Sequence, residues 1–210
     1  MFVTGESRDA VDSYEIPVVE ADIGIAEGLS IFVDGSRQVI DEDGESSSSG
    51  WGNGTIGAKW RFFEKDGVSA AIVPAYSRAL KSSSRTRGLV EDINVLSLPL
   101  VAGYENGDWV FYGQVGYDMT STSTAGIGYG FWTGYQASED WFLIAEIYGE
   151  EISGEDFDGV TNTRVGFEYG GIGPGDVLFS VGTRLNSDLP SEEKLDYEFF
   201  AGYRWEWDRR

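Results

Sequence analysis

Hydrophobic and polar residues alternate along almost the whole chain, and no segment sustains the 3.6-residue period of an amphipathic helix. A period of two indicates β-strands with one apolar face. The pattern predicts eleven strands, each close to the about 9 to 11 residues that a tilted strand needs to cross a bilayer. Their predicted ranges are 13–24, 29–40, 54–64, 68–80, 92–104, 109–119, 124–136, 141–151, 161–170, 176–186 and 195–207.

The connections between the predicted strands alternate between short and long. The short ones carry hairpin-turn residues and lie at Ala26-Glu27-Gly28, Lys65-Asp66-Gly67, Asn106-Gly107-Asp108, 137–140 and Gly173-Pro174-Gly175. The longer polar ones lie at 41–53, 81–91, 152–160 and 187–194, with 120–123 as the one short member. Short turns at one end and long loops at the other are the layout of an outer-membrane β-barrel.

The first short turn joins the first two predicted strands, so we expect a further strand before Gly5, represented by Met1 to Thr4. This brings the count to about twelve, and such barrels favour even numbers. The sequence therefore predicts an all-β fold, a single antiparallel up-and-down transmembrane barrel with short periplasmic turns and longer extracellular loops. We expect one domain over residues 1–210, with a truncated first strand and loop at 1–12, the barrel at 13–207 and a tail at 208–210.

The alternation also separates charged from apolar side chains. One face of the predicted strands carries no charge, as at Ile127, Tyr129 and Phe131. The other face carries nine acids and five bases, which we expect to line the lumen: Glu20, Asp22, Asp34, Lys59, Arg61, Asp118, Glu146, Glu150, Arg164, Glu168, Arg184, Glu198, Arg204 and Glu206. Buried charges need partners, so pairs such as Arg61 with Glu20 or Arg164 with Glu146 would form a ladder that packs the interior. Alternatively, the same charges form a constriction that selects solutes.

Alternation alone does not decide whether the apolar face is buried, as in a soluble lipocalin-like barrel, or faces lipid. The placement of aromatic residues favours lipid. Nine of them lie near a short turn or the C-terminus: Phe62, Tyr104, Trp109, Phe111, Tyr135, Trp141, Tyr169, Phe179 and Trp205. Tyr76, Tyr117 and Tyr197 form a thinner belt near the long loops. Aromatic girdles mark both interfaces of a membrane barrel, so we expect a location in the bacterial outer membrane.

The composition excludes several classes of function. The formal net charge is −21, and the chain contains neither His nor Cys. A protein this acidic lacks the basic face that nucleic acid requires, so we expect no nucleic-acid partner. Without His or Cys the chain has no Ser-His-Asp or Cys-His nucleophile and no thiolate zinc site, and no pair of carboxylates stands out as acid and base. We therefore expect no enzyme activity, no cofactor and no metal site.

Three further patterns each leave two interpretations open. Gly126, Gly128, Gly130 and Gly134 flank Trp132 on one face of a predicted strand, which indicates either relief of sheet curvature or a track for a flat solute. The acidic segments 41–45 and 150–158 either bind divalent cations or form a solvated surface. The basic residues of the 81–91 loop either bind lipopolysaccharide phosphates or serve solubility, and they are Lys81, Arg85 and Arg87.

The C-terminal strand carries Gly202 followed by Trp205 and Trp207 at alternate positions. This arrangement resembles the signal by which the outer-membrane assembly machinery recognises barrels, although an ordinary amphipathic last strand with two belt residues explains it as well. The segment Gly50 to Gly67, GWGNGTIGAKWRFFEKDG, is similar to the glycine loop, the GxKWRF strand and the E-x-D-G turn of the outer-membrane proteins grouped as the MetA pathway of phenol degradation. The glycine-rich GIGYGFWTGYQASEDWFLIAEIYG of Gly126 to Gly149 also resembles that family.

The resemblance covers most of Ser49 to Trp207, whereas the short N-terminal segment departs from the family. It implies an outer-membrane barrel that passes aromatic or other hydrophobic compounds, with no catalytic residue. The competing hypothesis is a closed structural or surface-interaction barrel whose acidic loops contact lipopolysaccharide, cations or a partner. If a pore exists, the predicted lumen charge of −4, five bases against nine acids, favours cations.

Overall fold

The computed structural model describes residues 1–8, 11–42, 46–122, 125–153, 158–187 and 197–206. They form one short helix, α1 (Ser82–Thr86), and thirteen β-segments. The β-segments are β1 (Phe2–Arg8), β2 (Val11–Ala26), β3 (Leu29–Glu42), β4 (Ser48–Lys65), β5 (Val68–Ile72), β6 (Ala75–Ala79), β7 (Val95–Asn106), β8 (Trp109–Thr120), β9 (Ala125–Gln136), β10 (Trp141–Ser153), β11 (Asp158–Ile172), β12 (Gly175–Ser187) and β13 (Tyr197–Trp205). Within these ranges, no α-helix has the length and hydrophobicity needed to span a membrane.

The strands form one closed antiparallel barrel. Each pairs with its neighbours in sequence, and β1 pairs with β13 to close the ring. β5 and β6 are two halves of one strand, because both pair with β4 on one side and β7 on the other. The break between them falls at Val73 and Pro74, whose ring leaves no N–H for the ladder. The barrel therefore has twelve strands, which confirms the predicted fold class.

The bounds of several strands differ from the prediction. β1 continues to Arg8 instead of stopping at Thr4, and it pairs with β13 over the range from Phe2 to Ser7. β3 extends to Glu42 and β4 begins at Ser48, so most of the predicted 41–53 loop belongs to these two strands. The 81–91 loop contains α1. Residues 9–10, 43–45, 123–124, 154–157, 188–196 and 207–210 lie outside the described residues, and they include Trp207, the tail and parts of the predicted long loops.

The short connections are the predicted hairpin turns. In the turn between β4 and β5, Asp66 has φ 51° and Gly67 has φ 79°. A two-residue turn with positive φ at both central positions matches the twist of the flanking strands, and glycine adopts that conformation without steric cost. The five short turns fall at one end of the barrel, which fixes the other end as the long-loop end.

The exterior of the barrel is apolar, and no dry core of large side chains exists among the described residues. Ile56 and Val165 are each 56% exposed, and Phe131 is 52% exposed. A soluble protein would bury such a continuous apolar surface, whereas a bilayer covers it with hydrocarbon. Aromatic pairs cluster near the short turns, with ring centroids 4.7 Å apart for Trp109 and Tyr135 and 4.8 Å for Trp141 and Tyr169. The outside is that of a membrane-spanning barrel with an aromatic girdle.

Candidate functional site: the charged lumen

The central cluster of the lumen is organised around Arg164 on β11. Its Nε donates to Oε1 of Glu198 at 3.1 Å, and its Nη2 donates to the hydroxyl of Tyr148 at 3.0 Å. The Tyr148 hydroxyl itself donates to the Glu198 carboxylate. Glu146 lies further away, with its Oε2 3.8 Å from Arg164 Nη1. One guanidinium thus serves two carboxylates, and it is hydrogen-bonded to only one of them.

The cluster reaches across strands because glycine leaves room for it. Glu198 is on β13 and Arg164 on β11, and the strand between them places Gly182 opposite both residues. A Cβ atom at Gly182 would lie 2.5 Å from Glu198 Oε1 and 2.6 Å from the Thr163 carbonyl oxygen. Side chains converge on the concave face of a barrel, so contacts that skip a strand place these groups inside it.

A second cluster lies at the short-turn end, where Arg204 bridges three carboxylates. Its Nη2 contacts the carboxylate of Glu168 and lies 2.8 Å from Asp176 Oδ2, while its Nε is 3.4 Å from Glu206 Oε1. The guanidinium side chain is 44% exposed, so water screens these ion pairs. With three acids around one base, this cluster carries a net negative charge.

The lumen face of β2 and β3 is acidic. Glu20 lies directly opposite Asp34 in the strand register. Asp34 Oδ1 accepts a hydrogen bond from the Thr55 backbone N–H at 3.1 Å, and Asp22 continues the same face of β2. These three carboxylates add negative potential to the lumen, and the single N-terminal ammonium near Glu20 offsets only part of it.

Three more of the predicted lumen charges, Glu150, Asp118 and Arg184, lie near one another toward the long-loop end. Glu150 lies opposite Gly128, and Asp118 Oδ2 would be 3.8 Å from a Cβ atom at that glycine. Arg184 donates from Nε to Asn162 Oδ1 at 3.2 Å.

Two predicted lumen bases sit on β4. Arg61 forms an ion pair with Glu64, with Nη2 to Oε2 at 3.0 Å, instead of with Glu20 as expected. Glu20 is opposite Asp34, and Asp34 is opposite Thr55, six residues from Arg61 along β4, so Arg61 and Glu20 lie at different heights. A register shift between Arg61 and Phe63 lets Arg61 and Glu64 face the same side of β4. Lys59 lies opposite Ser30.

The glycine-rich strand β9 forms one wall of a lumen cavity of about 240 Å³. The Trp132 ring lies between two other rings, with centroid distances of 5.3 Å to Tyr112 and 5.9 Å to Phe142. The cavity is lined by Val101, Tyr112, Gly113, Gln114, Gly130, Trp132 and Glu146. It therefore combines an aromatic surface, an amide and a carboxylate.

The predicted solute track is not uniformly open. Gly126 and Gly128 leave space, since a Cβ atom would meet nothing closer than 3.5 Å and 3.8 Å respectively. A Cβ atom at Gly130 would be 3.3 Å from Gln114. At Gly134 the space is filled by the ring of Phe142. The structure thus uses Gly134 to seat an aromatic ring.

The loop between β6 and β7, which contains α1, packs against the lumen face of β4 at the long-loop end. Leu89 is 3% exposed and Ser84 is 2% exposed. A Cβ atom at Gly50 would lie 2.5 Å from Leu89 Cδ1 and 3.4 Å from Ser84 Oγ. Gly50 is opposite the buried Gln38, on the lumen face of β4. The loop therefore folds inward at the long-loop end of the barrel.

The C-terminal motif lies at the barrel seam. Gly202 pairs with Phe2, and a Cβ atom there would be 2.8 Å from Phe2 Cβ. Its lack of a side chain permits the ring pair of Phe2 and Phe200, whose centroids are 4.9 Å apart. Trp205 is 52% exposed on the outside of β13.

Sequence reasoning missed several members of the lumen. Tyr148 follows Glu146 by two positions, so the same alternation could have found it, but only charged residues were selected. Asp176 was missed because it adjoins a turn. No pattern in the sequence indicated the role of Gly182, because that role depends on which side chains of the two neighbouring strands meet over this glycine.

No family model and no curated protein matches the chain. Among solved structures, it is similar to the COG4313 outer membrane channel from Pseudomonas putida F1, with TM-score 0.70, 13% identity and coverage of 96% of this chain and 91% of that one. It is also similar to the NanC porin, with TM-score 0.70, 7% identity and coverage of 98% and 99%. The KdgM porin follows with TM-score 0.58, 12% identity and coverage of 98% of both chains.

At these identities the likeness establishes the fold. The chain has the closed β-barrel fold of outer-membrane channels and porins, and its apolar exterior places it in the outer membrane of a Gram-negative bacterium.

Proposed function

We propose that this protein is a narrow diffusion channel of the outer membrane that admits small hydrophobic or aromatic compounds. The observation that carries the proposal is the lumen cavity beside β9, where the Trp132 ring and the Glu146 carboxylate line the same space. A twelve-stranded barrel is wider than the eight-stranded size that side chains fill, so it has room for a path. The resemblance to the MetA-pathway family supports the same class of solute.

Aromatic side chains along a lumen favour flat solutes because stacking and apolar contact offset the loss of hydration. The Tyr112, Trp132 and Phe142 rings offer such a surface without closing the adjacent cavity. Gln114 contributes an amide that can bind a polar substituent. Solutes of this kind would pass by weak contacts and would not be held tightly.

We also propose that the channel prefers cations. The β2 and β3 wall offers Glu20, Asp22 and Asp34 against the single N-terminal ammonium, and Glu146 is only loosely compensated by Arg164. In a channel with low-dielectric walls, uncancelled carboxylates concentrate cations and repel anions.

Liposome swelling tests solute choice with probes that do not cross lipid. We expect L-phenylalanine to enter faster than L-leucine through the wild-type protein. Trp132→Leu should lower that ratio, whereas Trp109→Leu, a matched change on the lipid-facing surface, should leave it unchanged. Equal ratios for wild type and Trp132→Leu would exclude the aromatic path.

The alternative function, a closed structural or surface-interaction barrel, is favoured by one observation. The loop between β6 and β7 folds inward, with Leu89 buried against the lumen face of β4. A protein that folds in vesicles but shows neither swelling with any amino acid nor conductance in planar bilayers would establish the closed barrel. We further propose that Gly202, Trp205 and Trp207 form the signal for the assembly machinery, and that residues 1–210 act as one barrel domain.

A further inference from the structure

A groove on the outer surface of the barrel lies where β2, β3 and β4 meet near the long-loop end. It has a volume of about 400 Å³ and is lined by Pro17, Val19, Gly35, Ser36, Arg37 and Trp51. Val19 is 55% exposed and Trp51 is 50% exposed. We call this feature the lateral groove, because it opens toward lipid and is separate from the lumen cavity.

Irregular pairing produces the lateral groove. The register of β2 and β3 shifts between Glu15 and Val18, and the register of β3 and β4 shifts between Gly35 and Arg37. Such irregularities bend strands and open the wall locally. Gly35 adds no side chain to fill the gap, and the nearest atom to a Cβ there would be Leu80 Cδ1 at 3.2 Å.

The height of the groove matches the outer edge of the apolar band. Trp51 is nine residues along β4 from Trp60, which lies near the short turns. At about 3.3 Å per residue and a tilt of about 40°, this separation corresponds to about 23 Å along the membrane normal, close to the about 25 Å height of the apolar band. Trp51 therefore marks the interface with the outer leaflet.

Two basic side chains flank the groove at this height. Arg37 lines it and donates from Nη2 to Ser49 Oγ at 2.8 Å. Lys81 Nζ lies 5.4 Å from the centre of the Trp51 ring. Neither base forms an ion pair with a described residue. This concentration of positive charge stands out in a chain with a net charge of −21.

We propose that the lateral groove binds a phosphate-bearing lipid of the outer leaflet, with an acyl chain against Pro17, Val19 and Trp51 and the phosphate between Arg37 and Lys81. The guanidinium fork matches phosphate geometry, and the ammonium supplies a second positive charge. An apolar groove that opens sideways at the bilayer interface fits a lipid chain better than a soluble ligand. Charge and shape therefore select an anionic amphiphile of the lipid A class. The proposal does not depend on whether the barrel conducts solutes.

Native mass spectrometry of the detergent-purified protein with added diphosphoryl lipid A tests this site. We expect the wild type to retain one lipid A molecule in preference to phosphatidylcholine. Arg37→Gln with Lys81→Gln should weaken retention by about tenfold or more, because the loss of one charged contact can already change an equilibrium constant tenfold. Arg61→Gln with Lys65→Gln removes the same two charge types at the short-turn end and should leave retention unchanged.

Trp51→Leu provides a second readout, since it keeps the charges and should still reduce retention through lost contact with the chain. Each variant is first checked for heat-modifiable migration, so that a misfolded protein is not scored. Equal retention by wild type and the Arg37→Gln, Lys81→Gln variant would overturn the proposal, as would equal retention of phosphatidylcholine and lipid A. Binding of inorganic phosphate as tight as that of lipid A would indicate a free-anion site and would also overturn it.

Discussion

The glycine at position 182 offers a sharp test of how the lumen is held together. Gly182→Ala places a Cβ atom 2.5 Å from Glu198 Oε1 and 2.6 Å from the Thr163 carbonyl oxygen. The Glu198 side chain can rotate away, but the backbone oxygen cannot. The substitution should therefore displace Glu198 from Arg164 and Tyr148 and also crowd the strand.

The expected cost follows from these two effects. A hydrogen bond to a charged group contributes about 1.5 to 3 kcal/mol, and crowding a packed position costs about 1 to 3 kcal/mol. Because Glu198 is only 7% exposed, water compensates little for the lost contact. Gly182→Ala should therefore lower the free energy of unfolding by about 2.5 to 6 kcal/mol.

Urea titration of the folded barrel in bilayers, followed by tryptophan fluorescence, measures this free energy. Gly113→Ala is the matched control, because a Cβ atom there meets nothing within 4 Å. It should be neutral or stabilising by up to about 1 kcal/mol. In a Glu198→Ala background, Gly182→Ala should lower the free energy of unfolding by less than it does in the wild type. The difference is the part of the cost that comes from displacing the Glu198 carboxylate.

Two results would refute this reasoning. If Gly182→Ala were no more destabilising than Gly113→Ala, the strand-skipping cluster would not depend on the missing side chain. If the cost of Gly182→Ala were the same with and without the Glu198 carboxylate, crowding alone would explain it.

Three further predictions concern selectivity, closure and the entrance. Glu20→Gln with Asp34→Asn should reduce the cation preference more than Glu168→Gln does, because Glu168 is paired with a base. The reversal potential in a salt gradient measures this preference. An equal effect of the two variants would contradict the role assigned to the acidic wall. Gly5→Leu should hinder closure between β1 and β13, since a side chain there would run into the rings on either side, and a wild-type yield of heat-modifiable protein would contradict it. Leu89→Ser should loosen the inward loop and raise single-channel conductance while the gel shift of the barrel stays normal, and unchanged conductance would show that the loop does not narrow the path.

The sequence predicted the barrel well because a bilayer imposes a strict rule. Every lipid-facing position must be apolar and every second residue faces lipid, so alternation alone located the outward face at positions such as Phe131 and Val165. The turns were equally easy to predict from the sequence, because glycine, asparagine and aspartate accept the positive φ that tight hairpin turns require. These features depend on local residues and on one face of each strand.

The interior was harder to predict because its contacts depend on the whole ring. Arg164 reaches Glu198 over Gly182, across a strand, and no spacing in the sequence encodes that distance. The pair of Arg61 with Glu64 depends on a register shift that alternation does not reveal. The lateral groove arises from two more such shifts, which appear only once strands are paired.

The central claim is that the chain forms a closed, lipid-facing barrel, and electrophoresis after purification in mild detergent tests it most directly. An unheated sample should migrate differently from a boiled one, because a closed barrel resists unfolding by detergent at room temperature and runs as a compact species. Identical migration of both samples, together with a monomer that stays soluble without detergent, would contradict a transmembrane barrel.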